Sequence, residues 1–173
     1  MPDQFHARFS ARSRHYRYKI LNRAVRSALL RARFAWECRA LSTDRMQLAG
    51  DYLLGEHDFS AFRASSCQAK SPVRTIHHLR IIRHGDFIYI DIIANAFLHH
   101  MVRNIVGVLI AVGAGKQEPD WASRILATRD RTRGGVTAPA EGLYLVGVEY
   151  PEHFRIPVPY TQITPSLAAM TFP

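Results

Sequence analysis

From His15 to Ile20 apolar and polar positions alternate, with Tyr16, Tyr18 and Ile20 on one side and His15, Arg17 and Lys19 on the other. A period of two predicts a strand with one basic face. Residues Asn22 to Ala32 are basic and irregular, and a short strand is expected around Phe34 to Cys38. Ser42 or Thr43 suits the N-cap of a helix running to about Leu54, with Asp44 in its first turn and Gly55 as its stop. Met46, Ala49, Leu53 and Leu54 form its expected buried stripe. The stretch DFSAFRASSCQAKSP then reads as a long loop, of a length that is often functional. Val73 to Arg83 and Phe87 to Ala94 read as strands joined by a hairpin turn at His84-Gly85-Asp86.

Asn95 is placed to cap the next helix, whose apolar positions Leu98, Met101, Val102, Ile105, Leu109 and Val112 have helical spacing. Gly113 and Gly115 end it. Pro119 and Asp120 open another helix, with Trp121 and Ile125 facing inward. The basic loop RDRTRGG leads to a last strand, Leu143 to Tyr150. Beyond Pro151 the chain is proline-spaced, which predicts one domain over 1–150 and a surface tail over 151–173. The order strand, helix, strand, strand, helix, helix, strand predicts an α+β fold of the ferredoxin-like kind. Its sheet would be mixed or antiparallel, with helices packed on one face.

A length of 173 residues fits one domain, and 47% hydrophobic with 21% charged residues supports a core and argues against global disorder. A net charge of +9 favours a polyanionic partner, nucleic acid first. Cys38 and Cys67 alone build neither a disulfide scaffold nor a zinc site. No run reaches the roughly 18 apolar residues of a membrane span. The opening MPDQFHARFS has no signal-peptide core, so a cytoplasmic location and no membrane contact are expected.

Nine histidines invite a metal, but the spacing does not. His77-His78 on a strand point to opposite faces, and His99-His100 on a helix diverge by about 100°. Neither is the i, i+4 pair of a helical zinc motif, and no metal site is expected. There is no G-x-S-x-G elbow and no P-loop. Asp91, mid-strand between Tyr89 and Ile93, is expected to be solvated or bonded to a neighbouring strand.

Arg103 stands out because it interrupts an apolar helix, NAFLHHMVRNIVG. It lies at the margin of the apolar stripe, one turn from His99 and one from Gly107, where the missing side chain lets another backbone or a ligand approach. An arginine keeps its charge, so burial demands an anion: a nucleic-acid phosphate or a carboxylate. The alternative is that it snorkels to solvent. Tyr16 and Tyr18 are either core residues or, at one of the two positions, a platform for a base beside cations that hold the backbone.

Four blocks, in this order and spacing, carry a specific resemblance: FHARFSARSRHYRY, GEHDFSAFRASSCQAKSPVR, NAFLHHMVRNIVGVLIAVG and AEGLYLVGVEYP. From about Phe5 to Pro151 the chain closely resembles the C-terminal half of the bacterial tRNA pseudouridine synthase A family. The resemblance implies isomerisation of uridine to pseudouridine in the anticodon stem-loop of tRNA, by a homodimer, without metal or organic cofactor. It implies that Tyr16 stacks on the target base and that Arg103 pairs with an essential aspartate. Phe5, His6, Ala7, Arg8 and Phe9, and Gln68, Ala69, Lys70, Ser71 and Pro72, match RNA-contacting segments, with Arg8 and Lys70 as phosphate ligands. Leu143 matches an apolar residue of the uracil pocket.

In the family the aspartate belongs to an R-T-D-x-G-V-type motif upstream of FHARF. This sequence contains no such motif, and neither Thr43-Asp44 nor Arg129-Asp130 fits it. The chain thus resembles the C-terminal domain alone, expects the N-terminal domain of the same protein as a partner, and is expected to be inactive without it. The reading from a different class is a non-catalytic RNA-binding module. Both readings expect salt-dependent tRNA binding.

Overall fold

A computed structural model describes residues 5–156. The expected tail therefore lies outside the described residues from 157 onward. Its first part, 151–156, folds back, with Phe154 edge-on to Phe5 at 5.2 Å between ring centroids.

Six strands and three α-helices form an α+β fold. Strand β1 (Ser13–Asn22) runs antiparallel to β5 (Phe87–Ala94), which pairs antiparallel with β4 (Val73–His84), and β4 with β3 (Gly55–Asp58). The other edge of β1 is shared. Strand β6 (Leu143–Glu149) pairs antiparallel with its first part, and the short β2 (Ala35–Glu37) pairs parallel with its last three residues. Helices α1 (Thr43–Asp51), α2 (Met101–Gly113) and α3 (Trp121–Thr128) pack together against one face of this mixed sheet. The expected layout is thus present, with β3 added.

Alternation explains the packed face. Tyr18 and Ile20 of β1 and Ile88, Ile90 and Ile92 of β5 are fully buried. In β4 the pattern slips: Ile76 and Leu79 are three residues apart, yet both enter the core. A bulge between Ile76 and His78 shifts the register so that they oppose Ala94 and Ile92, which share a face. The Tyr18 hydroxyl donates to the Pro139 carbonyl at 2.6 Å, and burial pushes its pKa up, so it stays a neutral donor. Tyr18 is therefore the core member of the tyrosine pair.

On the opposite face Asp91 stands in register between Arg17 of β1 and Arg80 of β4. It accepts from Arg17 Nε and NH2 at 2.8 and 3.0 Å and from His15 Nε2 at 2.8 Å. Burial works against its charge, but these hydrogen bonds prevail and hold the carboxyl below the usual range. The strand-bonded alternative for Asp91 is the one observed.

Four local expectations need correction. Helix α1 ends at Asp51 rather than Leu54, and Leu54 is 39% exposed while Leu53 is buried. Gly55 does leave the helical region (φ 91°), but it opens β3 instead of a loop. Asn95 does not cap α2. Its Oδ1 accepts from the Thr75 and Ala96 N–H groups, a turn that closes the end of β5, and the helix starts only at Met101. The pair His99-His100 thus sits on a turn, and the two rings do not diverge but stack with centroids 4.0 Å apart.

Gly107 shows why α2 carries no side chain at that point. A Cβ there would lie 1.8 Å from the Val136 carbonyl oxygen, so the 134–138 loop crosses the helix in backbone contact. The same loop reaches Ala138, whose N–H donates to the Arg103 carbonyl at 3.1 Å. Gly107→Ala must push backbone rather than a flexible side chain, and should cost about 1–3 kcal/mol of stability. Chemical denaturation of the two proteins measures this, and equal midpoints would show that the loop yields freely.

Candidate functional site

The start of β1, the end of β5, the 66–69 loop and the N-terminus of α2 surround an open cleft of about 980 Å3. Tyr16 enters from β1, its ring edge-on to Phe97 at 5.1 Å. Leu143, the first residue of β6, and Arg103, in the first turn of α2, face the same space. Of the residues singled out in the sequence, Tyr16, Arg103, Leu143, Arg8, Phe9, Gln68 and Ala69 line it together.

The others do not line it. Phe5 packs against Tyr150, and the Ala7 carbonyl accepts from the Tyr150 hydroxyl at 2.9 Å. His6 Nδ1 accepts from the N–H groups of Arg8 and Phe9 and shapes the turn that presents them. Lys70 and Ser71 are exposed beyond the rim, and the Pro72 carbonyl ties the loop to Phe59.

Arg103 is half-buried and its orientation is fixed from two sides. Nε donates to the Ala138 carbonyl at 2.7 Å, and NH1 donates to His100 Nε2 at 3.3 Å. Among the described residues no carboxylate lies within 4 Å of it. A carbonyl and a neutral imidazole orient a guanidinium without cancelling its charge. The side chain lies along the wall of a cleft that is itself open to solvent, bonded at Nε and NH1.

Sequence reasoning missed His100. It precedes α2 in the left-handed region (φ 62°), where a non-glycine residue is strained, and no side chain caps the helix behind it. Burial first, and then His99, Arg103 and Arg131, hold its pKa below the ordinary 6.5, which keeps Nε2 free to accept. His99 is tied in as well: Ser66 Oγ lies 3.1 Å from its Nδ1, and its N–H donates to Cys67 Sγ at 3.4 Å. Burial opposes a Cys67 thiolate, but the N–H groups of Ala69 and His99 and the Arg63 guanidinium hold the thiol below its usual range.

Two further arginines were also missed, Arg14 and Arg74. Arg14 extends the alternation of β1 by one step, two residues before Tyr16 on the same face, which the sequence pattern could have revealed. Arg74 follows the QAKSP segment and carried no separate signal. With Arg8 and Arg103 they make four arginines on one cleft, and no Asp or Glu is among the lining residues described. Such a wall attracts anions, and the exposed Phe9 and the Tyr16–Phe97 pair add flat apolar surface.

Comparison with known proteins gives concordant matches. The profile of a family described as tRNA pseudouridine synthase matches residues 49–151. The tRNA pseudouridine synthase A of Nitrosococcus oceani is 61% identical over 155 residues, covering 90% of this chain and 60% of that protein. The protein of the same name from Methylococcus capsulatus is 58% identical over 152 residues (88% and 56%), and that of Pseudomonas aeruginosa 55% over 160 residues (92% and 56%). The chain thus spans 56–60% of the length of these relatives.

The His100–Arg103 contact has a direct spectroscopic consequence. His100 should titrate below 6.5, and Arg103→Ala should move its pKa upward, because a neighbouring cation is removed. An NMR titration of the His100 ring proton reads both values. An unmoved pKa would mean that the two side chains do not meet in solution.

Proposed function

This chain belongs to the tRNA pseudouridine synthase family, and from that premise we propose that it supplies one wall of the uridine-isomerising site and part of the tRNA-binding surface. The observation that carries the reading is Arg103, oriented by Ala138 and His100, uncancelled by any described acid, and sharing a cleft with Tyr16. In this reading the target base leaves its stack and lies against Tyr16, with Leu143 forming apolar wall. Arg103 meets the aspartate of an R-T-D-x-G-V-type motif, which this sequence does not contain. The planar fork of the guanidinium suits a carboxylate, and a cleft closed over by RNA would strengthen the pair and fix the acid's position.

Arg8 and Lys70 act as phosphate contacts within the FHARF and QAKSP segments. The substrate is tRNA at its anticodon stem-loop, in the cytoplasm, with the N-terminal domain of the same protein as intramolecular partner and a homodimer as the working form. The chemistry is an isomerisation: the bond from ribose to nitrogen breaks, the uracil turns, a bond from ribose to carbon forms, and the proton lost from that carbon is balanced by one gained at the freed nitrogen. Nothing in that sequence consumes a redox equivalent.

The test uses the complete gene product on unmodified tRNA transcripts, with pseudouridine as the measured product. Arg103→Ala should lower turnover on the order of a hundredfold or more while changing tRNA affinity less than about threefold. Equal losses in both would recast Arg103 as a phosphate contact. The 173-residue chain alone, lacking the aspartate motif, should form no pseudouridine. Product from it would mean that an acid within this sequence acts instead.

A further inference from the structure

Arg14 and Arg74 form a second cationic pole of the cleft, apart from Arg103. Both are held by main-chain carbonyls. Arg14 donates NH1 to the Asn95 carbonyl at 3.1 Å and NH2 to the Arg8 carbonyl. Arg74 donates NH1 to the Ser71 and Val73 carbonyls at 3.0 and 2.5 Å. Carbonyls orient guanidinium groups but leave both positive charges uncancelled on the one cleft. The strain registers in Arg74: burial first, and then the cations of Arg14 and Arg63, pull its pKa below the ordinary arginine value, with Cys67 opposing. Its Nε is buried and has no hydrogen-bond partner among the described residues. A buried donor left unpaired costs about 1–3 kcal/mol.

We infer that Arg14 and Arg74 together seat one phosphodiester of the RNA strand, beside the base-stacking face of Tyr16. The inference rests on the RNA-binding part of the function proposed above, and gives that site a second anchoring point. Position argues for it. Arg14 lies two residues before Tyr16 on the same strand face, about 6.8 Å along β1. That separation suits a base and its own backbone phosphate. On the other side of β5, Ile76 opposes the same Ala94 that opposes Arg14, so Arg74, two residues before Ile76, opens toward the same end of the sheet. Chemistry argues for a phosphodiester, whose two non-bridging oxygens can each accept from one guanidinium fork. The cleft is open to solvent, as entry of a strand requires.

The test measures the affinity of the complete gene product for unmodified tRNA across a range of salt, for the wild type, Arg14→Gln, Arg74→Gln and the double variant. One shared phosphate predicts that each single change weakens binding and lowers the salt slope, and that the double variant loses about one unit of slope in all. A loss of turnover at saturating tRNA as large as the loss of affinity would overturn the seat, because it would place the two arginines at the reacting base. Unchanged slopes in both single variants overturn the seat, and so does an additive loss of about two units, which describes two separate surface contacts. Arg74→Lys keeps the charge but not the fork, so it should regain part of the slope. Inorganic phosphate should compete no better than chloride at equal ionic strength; selective competition that vanishes in the variants would assign the seat to free phosphate and overturn the inference. A slope loss in a protein that forms no pseudouridine would sink the proposed function and support the seat. Full activity with intact slopes in every variant would sink the seat alone.

Discussion

A guanidinium cannot give up its proton at any accessible pH, and this chain places four of them around one cleft without a carboxylate among the described lining residues. The contrast with the back of the sheet is instructive. There Arg17 is matched by Asp91, with two hydrogen bonds of 2.8 and 3.0 Å, so its charge is met within the sheet. In the cleft, neutral acceptors take the place of the acid: Ala138 and His100 for Arg103, Asn95 and Arg8 for Arg14, Ser71 and Val73 for Arg74. Orientation is fixed while charge is left over. The cleft thus presents oriented cations on a surface that attracts anions.

Much of the supporting architecture serves that orientation. The left-handed His100 turns the chain into α2 so that its ring sits beside Arg103. Gly107 lets the 134–138 loop cross the helix closely enough for Ala138 to grip the Arg103 side chain and main chain at once. Asn104 on the same helix donates to the Phe62 carbonyl and accepts from Arg131 and Thr137, so the loop is fastened at a second point. These are small, local devices, and each would be odd in a helix whose task was only to fill a core.

Long periodic segments were legible in the sequence because burial enforces their period. Strands β1, β4, β5 and β6 appear within a residue or two of where alternation put them, and Met46, Ile105, Leu109 and Ile125 face the core as their spacing required. The misses share a physical cause. Asn95 offers the same side-chain oxygen to a helix cap or to the N–H groups of Thr75 and Ala96, and only the pairing of β5 with β4 decides between them. Strand β3, GEHD, has no apolar alternation and exists because β4 presents an edge for it. The bulge at His77 is invisible without the partner register. For the site, Tyr16, Arg103 and Leu143 were readable from the family-like blocks and Arg14 from one more step of the β1 alternation, whereas His100 and Arg74 became visible only as neighbours in space.

Two anionic demands in one cleft also constrain the order of events. If the arginines were satisfied before RNA arrived, the electrostatic gain on binding would be small. The carbonyl-and-imidazole arrangement avoids this, since it leaves the charges for the ligand to cancel and places them in a site that RNA itself would shield from water, where each pairing is stronger than on an open surface. Binding and alignment are then the same step. In the proposed function, a strand seated by its backbone would bring its base against Tyr16, and the burial that follows would strengthen the pairing of a carboxylate with Arg103. On that proposal affinity would be drawn at the Arg14–Arg74 pole and positioning delivered at Arg103.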